Sequence, residues 1–189
     1  VTMRGIIQVT NATNGNVLGF LSKNALDNRQ FRYQPNEADA MTITFPTPDG
    51  VKNVSRARFT SLNSGTTFSL VGFVQGRDNT NSDLNPSSFH YGYISGTNAS
   101  PQGAGPQSVG NLYTSTTGTS RTSESDVWTV DLASGAITGQ WINQDGSSPN
   151  ISLVSQMTAL YVVGDRAAFA TKYTAATTDI TLQFLSRSA

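Results

Sequence analysis

The stretch Met41-Thr-Ile-Thr-Phe45 alternates apolar and hydroxyl side chains with a period of two. The stretch Ile180-Thr-Leu-Gln-Phe184 repeats that alternation near the other end of the chain. Because successive side chains of a β-strand point to opposite faces, both stretches predict strands with one buried face and one polar face in water. Threonine suits the wet face, since its branched side chain fits a pleated surface.

Similar short runs recur along the chain and predict about eleven strands in all. Met3, Ile7 and Val9 are separated by even numbers of residues and so fall on one face of a strand. The other runs are Val17 to Ser22, Val54 to Thr60, Thr67 to Gln75, Ser88 to Ser95, Val127 to Leu132, Ile137 to Ile142, Ile151 to Val163 and Ala167 to Tyr173. Only Ser22 to Gln30 carries a trace of helical spacing. We therefore expect at most one short helix.

Turn residues between these runs favour antiparallel hairpins. Asn14-Gly15, Asp49-Gly50, Ser134-Gly135 and Asp145-Gly146 each separate two apolar runs. The stretch Asp131-Leu-Ala-Ser-Gly135 predicts a type I turn that joins the strands of Trp128 and Trp141. Strands that are wet on one face must bury the other, so the sequence predicts an all-β, antiparallel β-sandwich of the jelly-roll type.

The composition excludes several classes of protein. The 189 residues are 37% hydrophobic and 13% charged, with net charge +0 and no cysteine. The lack of cysteine excludes thiolate metal sites and disulfides. Twelve basic residues balance twelve acidic ones, so the chain lacks the excess of positive charge that is typical of nucleic-acid-binding proteins. The absence of an 18-residue apolar run argues against a membrane span.

We expect one domain over residues 1–189, with a long surface loop at about 96–121 that is rich in small polar residues.

Catalytic and metal-binding constellations are scarce. His90 is the one histidine, so imidazole-based metal sites are excluded, and its apolar neighbours indicate a structural role. Glu124 and Asp126 lie two residues apart and are the candidate pair for a hydrolase, with a solvated strand edge as the alternative. The alternating oxygen side chains of Asn79, Asn81 and Asp83 are weak candidates for calcium, since the EF-hand glycine and glutamate are missing. We expect neither catalysis nor a cofactor.

Four N-glycosylation sequons occur, at Asn11, Asn53, Asn98 and Asn150. With 15 Asn and 46 Ser or Thr in 189 residues, about 3.6 sequons arise by chance, so the number alone proves nothing. The positions of two sequons give slightly better evidence for glycosylation, because Asn11 and Asn98 fall in predicted loops, where a glycan would lie in solvent.

Candidate sugar-binding residues come from exposed turns and aromatics. Trp128 and Trp141 share strand faces with apolar residues, so we expect both rings in the core. The turn from Asn143 to Ser147 should be exposed, with Asn143 and Asp145 as hydrogen-bonding groups. The aromatic candidates that would stack on a sugar are Tyr91, Tyr93 and Tyr113.

Several stretches together resemble secreted β-proteins of wood- and litter-decaying basidiomycete fungi. They are Leu18-Gly-Phe-Leu-Ser22, Glu124 to Trp128, Ile137 to Ser147, and Gly164-Asp165 leading to Ala168-Phe169. The resemblance spans most of the chain, and its most specific part is the paired-tryptophan hairpin. It implies a fungal extracellular protein made with a cleaved signal peptide, which would suit a mature start at Val1. It implies no catalytic or binding residue.

The leading hypothesis from the sequence is a secreted fungal glycoprotein that is non-catalytic and lectin-like, with glycans or cell-wall polysaccharide as partners. The alternative is an extracellular or cell-wall-associated structural glycoprotein with no small ligand. Both hypotheses leave a homo-oligomer open. A viral jelly-roll coat protein shares the β pattern, but the chain lacks a basic arm.

Overall fold

A computed structural model describes residues 1–188, which form an all-β fold of antiparallel strands. The fourteen strands of this range are β1 Thr2–Asn11, β2 Val17–Leu21, β3 Tyr33–Gln34, β4 Ile43–Pro46, β5 Asn53–Ala57, β6 Phe59–Ser61, β7 Leu70–Gln75, β8 Tyr91–Thr97, β9 Ser123–Glu124, β10 Trp128–Asp131, β11 Ala136–Gly139, β12 Ser152–Gln156, β13 Ala159–Val163 and β14 Thr177–Ser186. The prediction of an antiparallel all-β protein is confirmed. Among residues 1–188, no helix combines the length and apolar character needed to cross a membrane.

Eight of these strands close into a barrel, where the sequence predicted a sandwich of two sheets. Around the ring the order is β1-β4-β6-β7-β8-β13-β12-β14, and β14 returns to β1. That last pairing runs in register from Gly5 opposite Ser186 to Asn11 opposite Ile180. Since β14 is ten residues long, it pairs with β1 on one edge and with β12 and β11 on the other. The closing pair leaves no gap between two sheets, which is why a barrel forms.

The strands β11, β10 and β5 branch from β14 and share the barrel core. A tight turn links β10 to β11, in which the Gly135 N–H donates to the Asp131 carbonyl and Gly135 has φ +78. A glycine fits this left-handed position without a Cβ clash. Trp128 on β10 stacks on Phe59 at 5.4 Å between ring centroids, and its indole N–H donates to the Val71 carbonyl. Both tryptophans are buried, as the sequence predicted.

The protein has two separate apolar cores. The larger core fills the barrel, and every ring strand contributes to it; the side chains of Ile94 on β8 and Val162 on β13 belong to it. The smaller core lies on the outer face of β7, β8, β12 and β13. We call it the outer aromatic cluster, and it consists of Val74, Tyr91, Tyr93, Tyr113, Val154, Val163 and Phe169, with Tyr161 and Tyr173 packed against it.

Two short helices cover this outer cluster. Helix α1, Leu112–Thr117, brings Tyr113, and helix α2, Arg166–Lys172, brings Phe169. The sequence placed its one candidate helix at Ser22 to Gln30 and predicted a strand at Ala167 to Tyr173, and both predictions are wrong. Asp165 caps α2 by accepting a hydrogen bond from the Ala168 N–H at 2.9 Å. That cap, followed by three alanines, favours a helix over a strand.

The segment 96–121 also differs from a plain surface loop. Its Asn111 side chain caps α1 by accepting from the Thr114 N–H at 2.8 Å, and Gly118 ends the helix in the left-handed conformation. Tyr113 inside the helix is 2% exposed. The segment is therefore partly a cover for the outer aromatic cluster.

Candidate functional site

A pocket of about 250 Å³ opens on the outer aromatic cluster. We call it the tyrosine pocket, and its lining residues are Asn28, Gln30, Arg77, Asp78, Tyr91, Tyr93, Gln156, Tyr161, Phe169 and Tyr173. Ligand pockets commonly occupy roughly 300–1,000 Å³, so this one suits a ligand about the size of one sugar ring. Three other grooves are larger. The one that includes Ser55 and Ile151 and the one that includes Val1 and Asp126 have no aromatic ring in their walls, and the third includes Phe31 and Phe68 but no tyrosine.

The aromatic wall follows from strand geometry and from α2. Tyr91 and Tyr93 are two residues apart on β8 and so point to the same outer face. Tyr161 lies directly opposite Tyr93 on β13, with ring centroids 6.1 Å apart. Helix α2 places Phe169 at 5.7 Å from Tyr91, and Tyr173, just after the helix, at 5.4 Å. Four of these five rings are tyrosines, so the wall is apolar in its faces and polar at its hydroxyls.

An inserted segment extends the sheet beside the aromatic wall. At the end where β8 and β13 separate, residues 30–32 lie between them, with bridges from Gln30 to Ser95 and from Arg32 to Ala159. The Phe31 N–H donates to the Ile94 carbonyl at 2.7 Å. Because side chains alternate, Phe31 enters the barrel core while Gln30 faces outward into the tyrosine pocket. This insertion puts an amide beside the aromatic wall.

The side chain of Asn28 orients the Gln30 amide. The Gln30 N–H donates to Asn28 Oδ1 at 3.1 Å, which fixes the Asn28 amide. Asn28 Nδ2 must then donate to Gln30 Oε1, at 2.9 Å. Gln30 Nε2 therefore points away from Asn28. Within residues 1–188 it has no hydrogen-bond partner of acceptable geometry, although the Tyr161 hydroxyl is nearby, and Gln30 is only 4% exposed.

The amide of Gln156 is fixed in the opposite sense. Its Nε2 donates to the carbonyls of Tyr173 and Ala175, each at 3.1 Å, and to the Thr177 hydroxyl at 3.2 Å. With all three acceptors around the nitrogen, Oε1 lies on the other side of the amide, and Gln156 lines the pocket. The pocket wall thus carries one amide acceptor, Gln156 Oε1, while Gln30 Nε2 is buried.

The rim of the pocket is electrically balanced. Arg77 Nε donates to Asp78 Oδ1 at 3.2 Å, and the Tyr173 hydroxyl donates to Asp78 Oδ2 at 3.2 Å. Burial raises the pKa of Tyr173 to about 12 and raises the pKa of Tyr91 and Tyr93 still further from the ordinary value of 10.0. The hydroxyls are therefore neutral at physiological pH. They supply hydrogen bonds without charge.

The predicted sugar-binding residues divide between this pocket and two other places. Tyr91 and Tyr93 line the pocket, but each is 5% exposed, so the expectation of exposed rings is wrong for them. Tyr113 is stacked behind Tyr93 at 4.7 Å and does not line the pocket. All three rings are buried because α1 and α2 cover the outer face of β8.

The turn at Asn143 to Ser147 lies elsewhere, and only part of it is exposed. Asp145 is exposed and accepts hydrogen bonds from Ser147. Asn143 is buried, with Oδ1 accepting from the Leu84 N–H at 2.9 Å and Nδ2 donating to Asn85 at 2.8 Å. The prediction that Asn143 is an exposed ligand group is wrong, because its amide ties two loops together.

The weak calcium candidates serve the loop that leads into β8. Asn79 is buried and holds the backbone of Tyr91, while Asn81 accepts from the Asp83 N–H and Asp83 from the Gln144 N–H. No group of three His, Cys, Asp or Glu side chains suited to a metal exists within residues 1–188.

His90 is buried in the same loop, and its two ring nitrogens contact the Asp83 carbonyl at 2.9 Å and Thr80 at 3.0 Å. A structural role for His90 explains these contacts.

The two carboxylates of the hydrolase hypothesis face different surroundings. Asp126 pairs with Arg58, with 2.7 Å between Arg58 Nε and Asp126 Oδ1. Glu124 is buried and its carboxyl accepts from the Ile142 N–H at 2.9 Å. Burial raises the pKa of Glu124 to about 9. Asp126 lines a groove in which Glu124 has no part, so the structure does not bring the two together around one cavity.

The four sequon asparagines lie at or near the surface. Asn53, Asn98 and Asn150 are exposed and Asn11 is half-buried. Asn98 Nδ2 donates to the Val109 carbonyl at 2.9 Å, and Asn11 Oδ1 accepts from the Thr13 N–H. Glycosylation at these positions stays a prediction.

Comparison with known proteins adds no relative. No protein-family model matches the chain, and no curated protein or solved structure is significantly similar to it. The case for a function therefore comes from the site itself.

Sequence reasoning missed most of the pocket. Gln30, Gln156, Tyr161, Phe169 and Tyr173 gave no local signal for a site, since they come from three separate segments. The one available clue was the capped alanine-rich stretch after Asp165, which would have placed a helix, and with it Phe169 and Tyr173, over the tyrosines of β8.

Proposed function

We propose that this protein is a non-catalytic, lectin-like carbohydrate-binding protein, and that the tyrosine pocket is its sugar site. The observation that carries the proposal is an aromatic wall with amide side chains beside it in a pocket of about 250 Å³. A sugar ring presents an apolar face that packs on aromatic rings and hydroxyls that bond to amides. The pocket offers both kinds of contact.

The charge balance at the rim favours a neutral ligand over a cation. Aromatic cages also bind ammonium groups, usually with an unpaired carboxylate nearby. Here the Asp78 carboxylate is already paired with Arg77 and with the Tyr173 hydroxyl. A neutral sugar needs no such counter-charge, so it fits this rim better.

The wider setting of the proposal is a secreted fungal glycoprotein that binds glycans or cell-wall polysaccharide outside the cell. The resemblance of the paired-tryptophan hairpin, and a surface on which Ser, Thr and Asn replace charged residues, support it. The exposed sequon residues Asn53, Asn98 and Asn150 are accessible for attached glycans. Mass spectrometry of the protein from its native source tests this setting directly.

Tyr173→Ala tests the site. We expect it to weaken binding of a monosaccharide about five- to tenfold, because one stacked aromatic contact contributes roughly 1 kcal/mol. The measurement is isothermal titration calorimetry with a panel of neutral monosaccharides at up to about 50 mM, since millimolar affinity corresponds to about −4 kcal/mol.

Tyr33→Ala is the matched control for this test. Tyr33 is also a half-buried tyrosine, but it packs on the barrel core and not on the pocket. It should leave sugar affinity unchanged. Absence of binding by the wild-type protein to every sugar in the panel would refute the proposal and favour a structural glycoprotein.

A further inference from the structure

The rim of the tyrosine pocket carries an ion pair that a ligand can reach. Arg77 Nε donates to Asp78 Oδ1 at 3.2 Å, and the side chains of Arg77 and Asp78 are 67% and 38% exposed. Both residues line the pocket. Because both side chains are in contact with solvent, a ligand in the pocket can contact the guanidinium and the carboxylate together.

Each partner of this pair has hydrogen-bonding capacity left. A carboxylate accepts up to about four hydrogen bonds. Within residues 1–188 the Asp78 carboxylate accepts two, from Arg77 and from the Tyr173 hydroxyl. A guanidinium carries several N–H donors, and in the same range of residues the Arg77 side chain uses only its Nε–H. The rim therefore offers an acceptor and a donor side by side, and hydrogen bonds to such charged groups are stronger than bonds between neutral groups.

Tyr173 fixes the place of this pair relative to the aromatic wall. Its ring is half-buried and lines the pocket, and its hydroxyl donates to Asp78 Oδ2 at 3.2 Å. A sugar ring that packs on the face of Tyr173 therefore has the Asp78 carboxylate beyond its edge. The equatorial hydroxyls of a sugar point outward from that edge, so the aromatic face and the ion pair can contact the same sugar.

Two hydroxyls on neighbouring ring carbons match an acceptor and a donor that lie side by side. One hydroxyl donates to the carboxylate, and the oxygen of the next accepts from the guanidinium. A lone hydroxyl would have to form both bonds through one oxygen. Two neighbouring hydroxyls meet each charged group separately, so that both bonds can be close to linear.

We propose that the Arg77–Asp78 pair selects sugars that have two free hydroxyls on neighbouring ring carbons. Asp78 accepts from one hydroxyl, Arg77 donates to the other, and Tyr173 packs on the face of the ring. This inference rests on the proposed sugar-binding function and deepens it, because it names the polar contact that decides which sugars bind.

The test uses the methyl glycosides of glucose, galactose and mannose, each with its 3-deoxy and its 6-deoxy analogue. With the anomeric oxygen blocked, the 3-deoxy analogue has no pair of neighbouring hydroxyls left, whereas the 6-deoxy analogue keeps both pairs. Each analogue lacks one hydroxyl, so the two differ only in its position. For each parent that binds, calorimetric titration of the wild-type protein should give about tenfold weaker binding of the 3-deoxy analogue and unchanged binding of the 6-deoxy analogue.

Asp78→Ala removes the acceptor and leaves the aromatic wall in place. It should weaken binding of the parent glycosides about tenfold, and their preference over the 3-deoxy analogues should disappear. Glu37→Ala is the matched control, because Glu37 and Arg187 form another exposed pair of this kind outside the pocket. It should leave every affinity as in the wild-type protein. Exposed ion pairs contribute little to stability, so both variants should fold, as circular dichroism can show.

The outcomes separate this inference from the proposed function. A 3-deoxy glycoside that binds as tightly as its parent overturns the inference and leaves sugar binding standing, as does an Asp78→Ala variant that keeps the wild-type preference. Equal losses for the 3-deoxy and 6-deoxy analogues also overturn it, since the number of hydroxyls would then matter and not their adjacency. Absence of binding by all three parent glycosides overturns the inference, and when the whole panel of neutral monosaccharides also fails to bind, the proposed function falls with it.

Discussion

Trp128→Ala is expected to lower the free energy of unfolding by about 3–5 kcal/mol, because it removes a large, fully buried ring. The indole lies between Phe59, stacked at 5.4 Å, and Phe73, edge-on at 4.9 Å, so both partners lose their contact at once. The Val71 carbonyl loses its indole donor as well. Urea unfolding followed by circular dichroism measures the change.

Trp128→Phe separates packing from hydrogen bonding at this position. It keeps an aromatic ring but leaves the Val71 carbonyl unpaired, so a smaller loss of about 1–3 kcal/mol is expected. Leu62→Ala, at a half-exposed leucine, should cost less than about 1 kcal/mol. A loss below about 1 kcal/mol for Trp128→Ala would show that the β10 branch does not share the barrel core.

The stability of the wild-type protein is expected to fall as the pH rises from about 5 to about 9. The buried Glu124 carboxyl has its pKa raised from 4.5 to about 9, mainly by burial. Between these values the folded state keeps the proton and the unfolded state releases it, so a rising pH favours unfolding. The stabilising effect is full below the unfolded pKa. Its loss amounts to at most about 6 kcal/mol across the whole window.

Glu124→Gln should remove most of this pH dependence, since an amide does not titrate. Its carbonyl can still accept from the Ile142 N–H, so at pH 8 the variant should be more stable than the wild-type protein. Thermal unfolding at pH 5, 7 and 9 gives the comparison. Glu37→Gln is the control, because Glu37 is the other glutamate and pairs with Arg187 at the surface. Equal melting temperatures of the wild-type protein at all three pH values would contradict the assignment of a buried, protonated Glu124.

The fold class was predictable from side-chain periodicity. Ile43 to Phe45 and Ile180 to Phe184 do lie in strands with alternate residues in the core, and Met41 is buried just before the first of these strands. The glycines at 15, 50, 135 and 146 all adopt positive φ. Barrel closure was not predictable, because alternation gives each strand a buried face without specifying which strands pair. The choice between barrel and sandwich depends on the register of β14 with β1, which no local pattern reports.

The candidate site was predictable only in its two strand tyrosines. The sequence indicates Tyr91 and Tyr93 as aromatics that reach solvent, but α2 buries them, and the sequence predicts a strand where α2 lies. Gln30 reaches them only because residues 30–32 lie between β8 and β13. Such an insertion is a tertiary event between segments more than 60 residues apart, so composition and periodicity carry no trace of it.

The pairing of β1 with β14 has a kinetic consequence. Its partners are separated by about 170 to 180 residues, from Asn11 with Ile180 to Gly5 with Ser186. Contacts between segments so distant form slowly, since the loop entropy is lost before the contacts are gained. During synthesis the emerging chain must hold β1 with one unpaired edge until β14 leaves the ribosome. That interval exposes the chain to strand-mediated aggregation.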